Sequence, residues 1–231
     1  MHVVMLLYPG LTQLDLTGPF EVLTRFRELT IELVWKTLHP VTDGNGLQLL
    51  PSATFETCRK ADILFVPGGP GQARLMNDDE TLEFLRNQAE DADYVTSVCT
   101  GSLVLAAAGL LKGYRATCHW LSIDQLSYFG VTPVKERVVI DGSRITGAGV
   151  TSGIDFALTL AAKLFGEERA RGVQLSMEYD PKPPFASGSP ETALPTTVNR
   201  VRELAAPFQA QRERVAEEAA ERLQEAAKHK Y

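Results

Sequence analysis

The chain opens on an almost unbroken apolar run, His2-Val3-Val4-Met5-Leu6-Leu7-Tyr8, which Pro9-Gly10 closes. A short continuous run of this kind fits a strand buried on both faces of a parallel sheet. Leu14, Phe20, Leu23 and Phe26 then recur at helical spacing, predicting a helix within 11–29 with an irregular or kinked start at Gly18-Pro19. Strands are predicted over 31–38, over 47–50 after the turn Asp43-Gly44-Asn45-Gly46, and over 61–66, where the run ends in Pro67-Gly68-Gly69-Pro70-Gly71. An amphipathic helix follows over 78–88. Tyr94-Val95-Thr96-Ser97-Val98 is β-rich, and the small-residue helix after it stops at Gly109. Beyond that the pattern gives a short strand at 116–118, a helix over 119–129, and a hairpin around Asp141-Gly142. Further helices are expected over 154–165 and from about 167 to 179.

Strands that alternate with helices and are themselves apolar point to a doubly wound, flavodoxin-like α/β fold: a mostly parallel sheet sandwiched by helices. Such folds bind ligands at the carboxyl ends of their strands. The segment 180–195 holds Pro181, Pro183, Pro184, Pro190 and Pro195 and cannot be helical. Residues 197–230 are rich in Ala, Glu, Arg and Gln and strongly helix-forming. Val198, Val201, Ala205 and Phe208 make one apolar stripe there. Val215, Ala219, Leu223 and Ala226 make another, with Pro207 as a break between them. The expected organisation is an α/β unit over 1–180, a Pro-rich connector over 181–196 and a C-terminal helical extension over 197–231, packed on its own domain or clasping a second subunit.

Composition narrows the function. The 231 residues are 44% hydrophobic, with net charge -6 and pI near 5.3. That balance argues against a nucleic-acid surface. No apolar run approaches the ~20 residues that cross a bilayer, and the N-terminus reads as a strand rather than a signal peptide. Three cysteines, Cys58, Cys99 and Cys118, fit no disulfide framework and no metal-ligand spacing. A cytoplasmic protein with reduced thiols is expected.

Cys99 stands where the β-rich run meets the small-residue helix, in Ser97-Val98-Cys99-Thr100-Gly101-Ser102. This is the pattern of a nucleophile elbow, with a small residue two positions past the nucleophile. The positive end of the new helix favours a thiolate there. A small buried thiol at a strand end fits the same pattern. The N–H groups of Thr100 and Gly69 are candidate donors to developing negative charge or to water. Asp15, between Leu14 and Leu16, is either an acid partner of Cys99 or, with Thr12 three residues earlier, part of a capping box. If it reaches Cys99, one of the two acids will hold the proton and can act as a general acid. His119 is the accessory candidate, as the base of a Cys–His pair or as a structural histidine. Gly147-Ala148-Gly149-Val150-Thr151-Ser152-Gly153 lacks a P-loop Lys and reads as a tight loop at the strand ends.

Taken together the motifs resemble the ThiJ/PfpI group of the class I glutamine amidotransferase-like superfamily over about residues 2–180. The resemblance rests on Asp15-Leu16-Thr17-Gly18-Pro19-Phe20-Glu21-Val22, Val66-Pro67-Gly68-Gly69-Pro70-Gly71, the Cys99 elbow, Ala116-Thr117-Cys118-His119-Trp120 and Thr151-Ser152-Gly153-Ile154-Asp155, in that order. Within the group the chain is most similar to the isocyanide hydratases. Asp15 stands where glyoxalase and chaperone-like members carry Glu, and Thr100 where peptidase members carry His. The resemblance implies catalysis by Cys99, Asp15 and Thr100, water or oxyanion binding at Gly69 and Thr100, and no metal or organic cofactor. It also implies a small isocyanide substrate, a homodimer, and no nucleic-acid or membrane partner. A glyoxalase-like enzyme of the same group, a cysteine redox or ligand sensor, and a Cys99–His119 peptidase or amidase are the alternatives.

Overall fold

The computed structural model describes residues 1–228. Its centre is a seven-stranded sheet in the order β10-β11-β7-β6-β1-β2-β5. The strands are β1 (His2–Leu6), β2 (Thr30–Trp35), β5 (Ala53–Thr54), β6 (Ile63–Val66), β7 (Tyr94–Val98), β10 (Val138–Asp141) and β11 (Arg144–Gly147). Two small ladders, β3 (Val41–Thr42) with β4 (Gln48–Leu49) and β8 (Arg115–Ala116) with β9 (Thr132–Pro133), lie outside it. All pairs of the main sheet are parallel except the β10–β11 hairpin. β1 and β6 are buried at every position, as their unbroken apolar runs require of strands covered on both faces.

Helices cover the two faces. α1 (Gln13–Leu23), α5 (Ser152–Phe165) and α6 (Glu167–Ser176) pack together on one side. On the other lie α2 (Gln72–Leu75), α3 (Asp79–Ala89), α4 (Gly101–Ala107), the 3-10 helix Ile123–Phe129 and the long α7 (Pro195–Lys228). The segment expected as a helix over 119–129 is therefore a turn followed by this tighter helix.

Neither internal proline breaks its helix. α1 runs uninterrupted through Pro19, whose ring packs against Gly153 at the head of α5. α7 is one helix through Pro207, so its two stripes belong to a single rod. The C-terminal end of the expected extension, residues 229–231, lies outside the described residues.

The chain order fixes where a site can form. From β1 it winds outward through β2 to β5, then returns to β6 on the other flank of β1 and continues to β7. The reversal leaves a crevice between the carboxyl ends of β1 and β6, where open α/β sheets bind ligands.

Candidate active site

Cys99 follows the last residue of β7 and holds φ 58, in the left-handed region that non-glycine residues rarely occupy. A residue held there costs about 1–3 kcal/mol, and surrounding contacts maintain it. Its N–H donates to Ala148 O at 2.7 Å and to Gly147 O at 3.0 Å, so the glycine-rich loop after β11 braces the elbow. Gly101 is required two residues on, because a Cβ there would run into Val66 O and Pro67 O. Ser97 and Ser102 hydroxyls meet at 2.8 Å, and Ser102 donates onward to Thr117 O at 2.7 Å, tying strand, helix and the Cys118 segment together.

Asp15 arrives from α1 across the crevice. Thr12 is the N-cap of α1 but makes no side-chain cap bond, so the capping box is not formed. The carboxylate turns inward instead and is 0% exposed. Its Oδ2 accepts the Gly68 N–H at 3.0 Å, while the Thr12 N–H donates to Gly68 O at 2.9 Å. A Cβ on Gly68 would sit 2.8 Å from Asp15 Oδ2 and 2.8 Å from Cys99 Cβ, so glycine is what allows acid and thiol to converge. Oδ1 of Asp15 is buried without a hydrogen-bond partner. The carboxyl and the Cys99 thiol perturb each other's proton.

Electrostatically, burial favours the protonated form of both acids. Burial pushes the Asp15 carboxyl up to about 7, against the lowering effect of Cys99 and the Gly68 N–H. Burial also holds the Cys99 thiol well above its usual range, with the charges of Asp15 and Cys118 adding to the shift and the Thr100 N–H opposing it. The expectation that the helix end alone would favour a thiolate is thus corrected. Desolvation of a 4% exposed cysteine outweighs one N–H and a short helix.

The remaining predicted residues fall around this pair. Gly69 directs its N–H to Thr100 Oγ1 at 3.0 Å, so it reaches the site through the threonine hydroxyl. Tyr8, fully buried, donates to Pro67 O at 2.9 Å and braces the same turn. His119 makes no hydrogen bond to Cys99 among the described residues. Its Nδ1 accepts the Leu121 N–H at 3.3 Å, and burial together with Arg212 lowers its pKa to about 4. A cleft of about 530 Å³, bordered by Cys118, His119, Trp120 and Ala148, adjoins the elbow from the α7 side.

One group of metal-donor atoms exists among the described residues: those of His2 on β1, Glu32 on β2 and Cys58 after β5 lie within 4.8 Å of one another, away from the elbow. The cluster is already closed by hydrogen bonds, with His2 Nε2 3.1 Å from Glu32 Oε2 and the Arg59 guanidinium 3.0 Å from His2 Nδ1.

A strained cysteine elbow, a buried acid from the first βα connection and a Gly-Gly turn after β6 agree with a match of residues 1–163 to the model of the DJ-1/PfpI family. The chain belongs to the DJ-1/PfpI family. A relative within reach of the whole chain is the isonitrile hydratase of Pseudomonas putida, 54% identical over 223 residues, 96% of this chain and 98% of the relative. The HTH-type transcriptional regulator CdhR of Pseudomonas aeruginosa is 35% identical over 181 residues, 75% of this chain but 53% of that protein. Among solved structures, a ThiJ/PfpI family protein from Pseudomonas syringae superposes with TM-score 0.91 at 46% identity, covering 93% of this chain and 90% of its own.

Arg212 of α7, 5% exposed, is the buried charged group that sequence reasoning missed. Its signal was available. Arg212 falls between Phe208 and Val215 at helical spacing, where the stripe otherwise carries apolar residues.

Proposed function

We propose that the protein is an isocyanide hydratase, converting R–N≡C and water to an N-substituted formamide. The observation that carries this reading is the buried Asp15–Cys99 pair, converging at the Gly68 turn, in a chain 54% identical to an isonitrile hydratase. A nucleophile that is 4% exposed suits a slim, neutral electrophile with a single terminal carbon.

In this reading the Cys99 sulfur attacks the terminal isocyanide carbon as its proton passes to Asp15. Asp15 delivers that proton to the same carbon, giving the thioimidate R–N=CH–S–Cys99. The proton passes between sulfur and carboxyl directly as the reaction proceeds, since the two acids converge at the Gly68 turn. Water then adds to the thioimidate carbon with Asp15 accepting one of its protons. The C–S bond breaks, nitrogen gains a proton, and R–NH–CHO leaves as Cys99 is regenerated. Thr100 holds the water through its hydroxyl, which Gly69 orients, and its N–H steadies the sulfur's charge.

The reading also comprises the division into an α/β unit over 1–180, a connector over 181–196 and an extension over 197–231. It further comprises a cytoplasmic location and a homodimer formed partly by the exposed N-terminal half of α7, where Val201, Leu204 and Phe208 face solvent in one chain. No described helix is long and apolar enough to cross a membrane. Incubation with p-nitrophenyl isocyanide should accumulate N-(p-nitrophenyl)formamide. Lactate from methylglyoxal with no formamide from isocyanides would replace this function with a glyoxalase-like one.

A further inference from the structure

His2 opens β1 and Glu32 lies on β2, and the parallel register pairs His2 with Thr30 and Val4 with Glu32. Residues two apart on a strand share a face, so His2, Thr30 and Glu32 point to the same side of the sheet. The chain turns back after β5, where the Cys58 N–H donates to Thr54 O at 2.9 Å, and it brings the Cys58 thiol to the same place. An imidazole nitrogen, a carboxylate oxygen and a thiol sulfur thus gather within 4.8 Å of one another. They come from three segments far apart in the chain, so no spacing motif announces them. They meet at the amino ends of β1 and β2, whereas Cys99 follows the carboxyl end of β7.

The donor set and its supports fit one class of ion. Imidazole, carboxylate and thiolate together suit zinc, while calcium and magnesium take oxygen ligands. A tetrahedral zinc with its usual bond lengths sets neighbouring ligands about 3.3–3.6 Å apart. His2 Nε2 and Glu32 Oε2 already lie 3.1 Å apart. The sulfur, within 4.8 Å of both, has at most about 1.5 Å to close. His2 Nδ1 lies 3.2 Å from Thr30 Oγ1, so a ring that gives Nε2 to a metal can keep its proton on Nδ1 and donate it there. Gln88 is buried; its Oε1 accepts the Ala61 N–H at 2.8 Å and its Nε2 donates to the Cys58 sulfur at 3.8 Å. That fixed amide supplies the outer hydrogen bond that steadies a metal-bound thiolate.

A cation already stands at this place. The Arg59 guanidinium is 3.0 Å from His2 Nδ1 and 3.5 Å from Glu32 Oε1. Its side chain is 63% exposed, and its partners among the described residues are His2, Thr30 and Glu32 alone. It can therefore swing into water at small cost. While Arg59 donates to Nδ1, the His2 proton rests on Nε2 and faces Glu32. The departure of Arg59 frees Nδ1 for that proton and opens Nε2 to a metal.

We propose that His2, Glu32 and Cys58 form a zinc site, with water in the fourth position, which clips β1, β2 and the segment after β5 together and fills as Arg59 swings out. On binding, the Cys58 thiol gives up its bond to Arg59 O, its proton passes to solvent, and a zinc–sulfur bond forms. The site is separate from the elbow and does not depend on which reaction Cys99 performs.

The test is a titration of reduced, metal-stripped full-length protein with zinc chloride against the chromophoric chelator mag-fura-2. Wild type should take up about one zinc per chain, and Cys58→Ala and Glu32→Gln should each bind at least about 100-fold more weakly. Cobalt chloride in place of zinc should give a thiolate-to-cobalt charge-transfer band and the strong visible bands of tetrahedral cobalt, present in Cys99→Ala and absent in Cys58→Ala. Arg59→Ala should tighten zinc binding up to about fivefold, because the competing guanidinium is gone; weaker binding there would overturn the exchange. No uptake by wild type would overturn the proposal, as would uptake that Cys58→Ala leaves unchanged, which would put the metal on Cys99 or Cys118. Should Cys58→Ala not fold, Glu32→Gln decides in its place, and wild-type affinity in that variant counts against the site.

Discussion

Asp15 Oδ2 accepts the Gly68 N–H at 3.0 Å, across the crevice where β1 and β6 lie side by side. The bond joins a helix that follows the first strand to a turn that follows the sixth, and it aims a buried acid at the Cys99 elbow of β7. A site assembled from neighbouring strand ends owes its geometry to the sheet. Its residues can lie far apart in sequence and still meet within hydrogen-bond distance.

The same burial has a stability consequence. The Asp15 carboxyl titrates near 7 in the folded chain, against about 4 when unfolded. Folded protein binds the extra proton between those values, so stability falls as pH rises from about 4 to about 7 and stays reduced above. Asp15→Asn removes the buried charge. It is expected to gain up to roughly 4 kcal/mol at pH 8, to gain little at pH 4, and to lose turnover. Urea unfolding at both pH values checks this. An equal effect at both would mean that Asp15 is not held protonated by the fold.

Glycine substitutions test the close approaches around the elbow. Gly101→Ala forces a methyl group into Val66 O and should cost more than about 3 kcal/mol, visible as a large fall in Tm or loss of soluble protein. Gly68→Ala meets the Thr100 backbone N first and then Asp15 Oδ2 and Cys99 Cβ, so it moves the elbow itself together with the acid. In the protein that folds, its expected signature is a kcat/KM about 10²-fold lower, from misplaced reacting groups. Full activity in Gly68→Ala would contradict the convergence of acid and thiol at that turn.

His119 sets a negative control. With its pKa lowered to about 4 it is neutral at neutral pH, and with Nδ1 accepting from Leu121 its proton sits on Nε2, so neither nitrogen offers a free lone pair to a thiol. His119→Ala should keep kcat/KM within about fivefold of wild type, and neither protein should show a limb near the free-histidine pKa of about 6.5. A loss as deep as that of Cys99→Ala would make it the base of a Cys–His pair.

For assembly, sedimentation at micromolar concentration should give about twice the 25.3 kDa chain mass. Leu204→Glu, at a position 68% exposed on α7, should shift it toward one chain. A wild-type mass near 25.3 kDa would contradict the dimer.

Much of this was legible in the sequence because it is local. The buried strands show as unbroken apolar runs, and the elbow shows as β-residues, one cysteine and a small-residue helix. The choice between Asp15 as cap and Asp15 as acid was not, since Thr12-x-x-Asp15 reads alike in both; only the Gly68 contact decides it. Pro19 and Pro207 read as breaks because propensity is local, whereas their helices are held by tertiary packing and by length. The height of the Cys99 pKa depends on desolvation by distant segments, which no local motif encodes. Arg212 was hidden in the same way: an arginine in a helix rich in charges looks solvated until its place in the apolar stripe is counted.

The central claim is that the Asp15–Cys99 pair hydrates isocyanides through a covalent thioimidate. Its most direct test is the initial rate of N-(p-nitrophenyl)formamide formation from p-nitrophenyl isocyanide, measured side by side for wild type, Cys99→Ala and Asp15→Asn. Steady turnover is expected for wild type and background rates for both variants. Formamide forming at the wild-type rate in Cys99→Ala would contradict it.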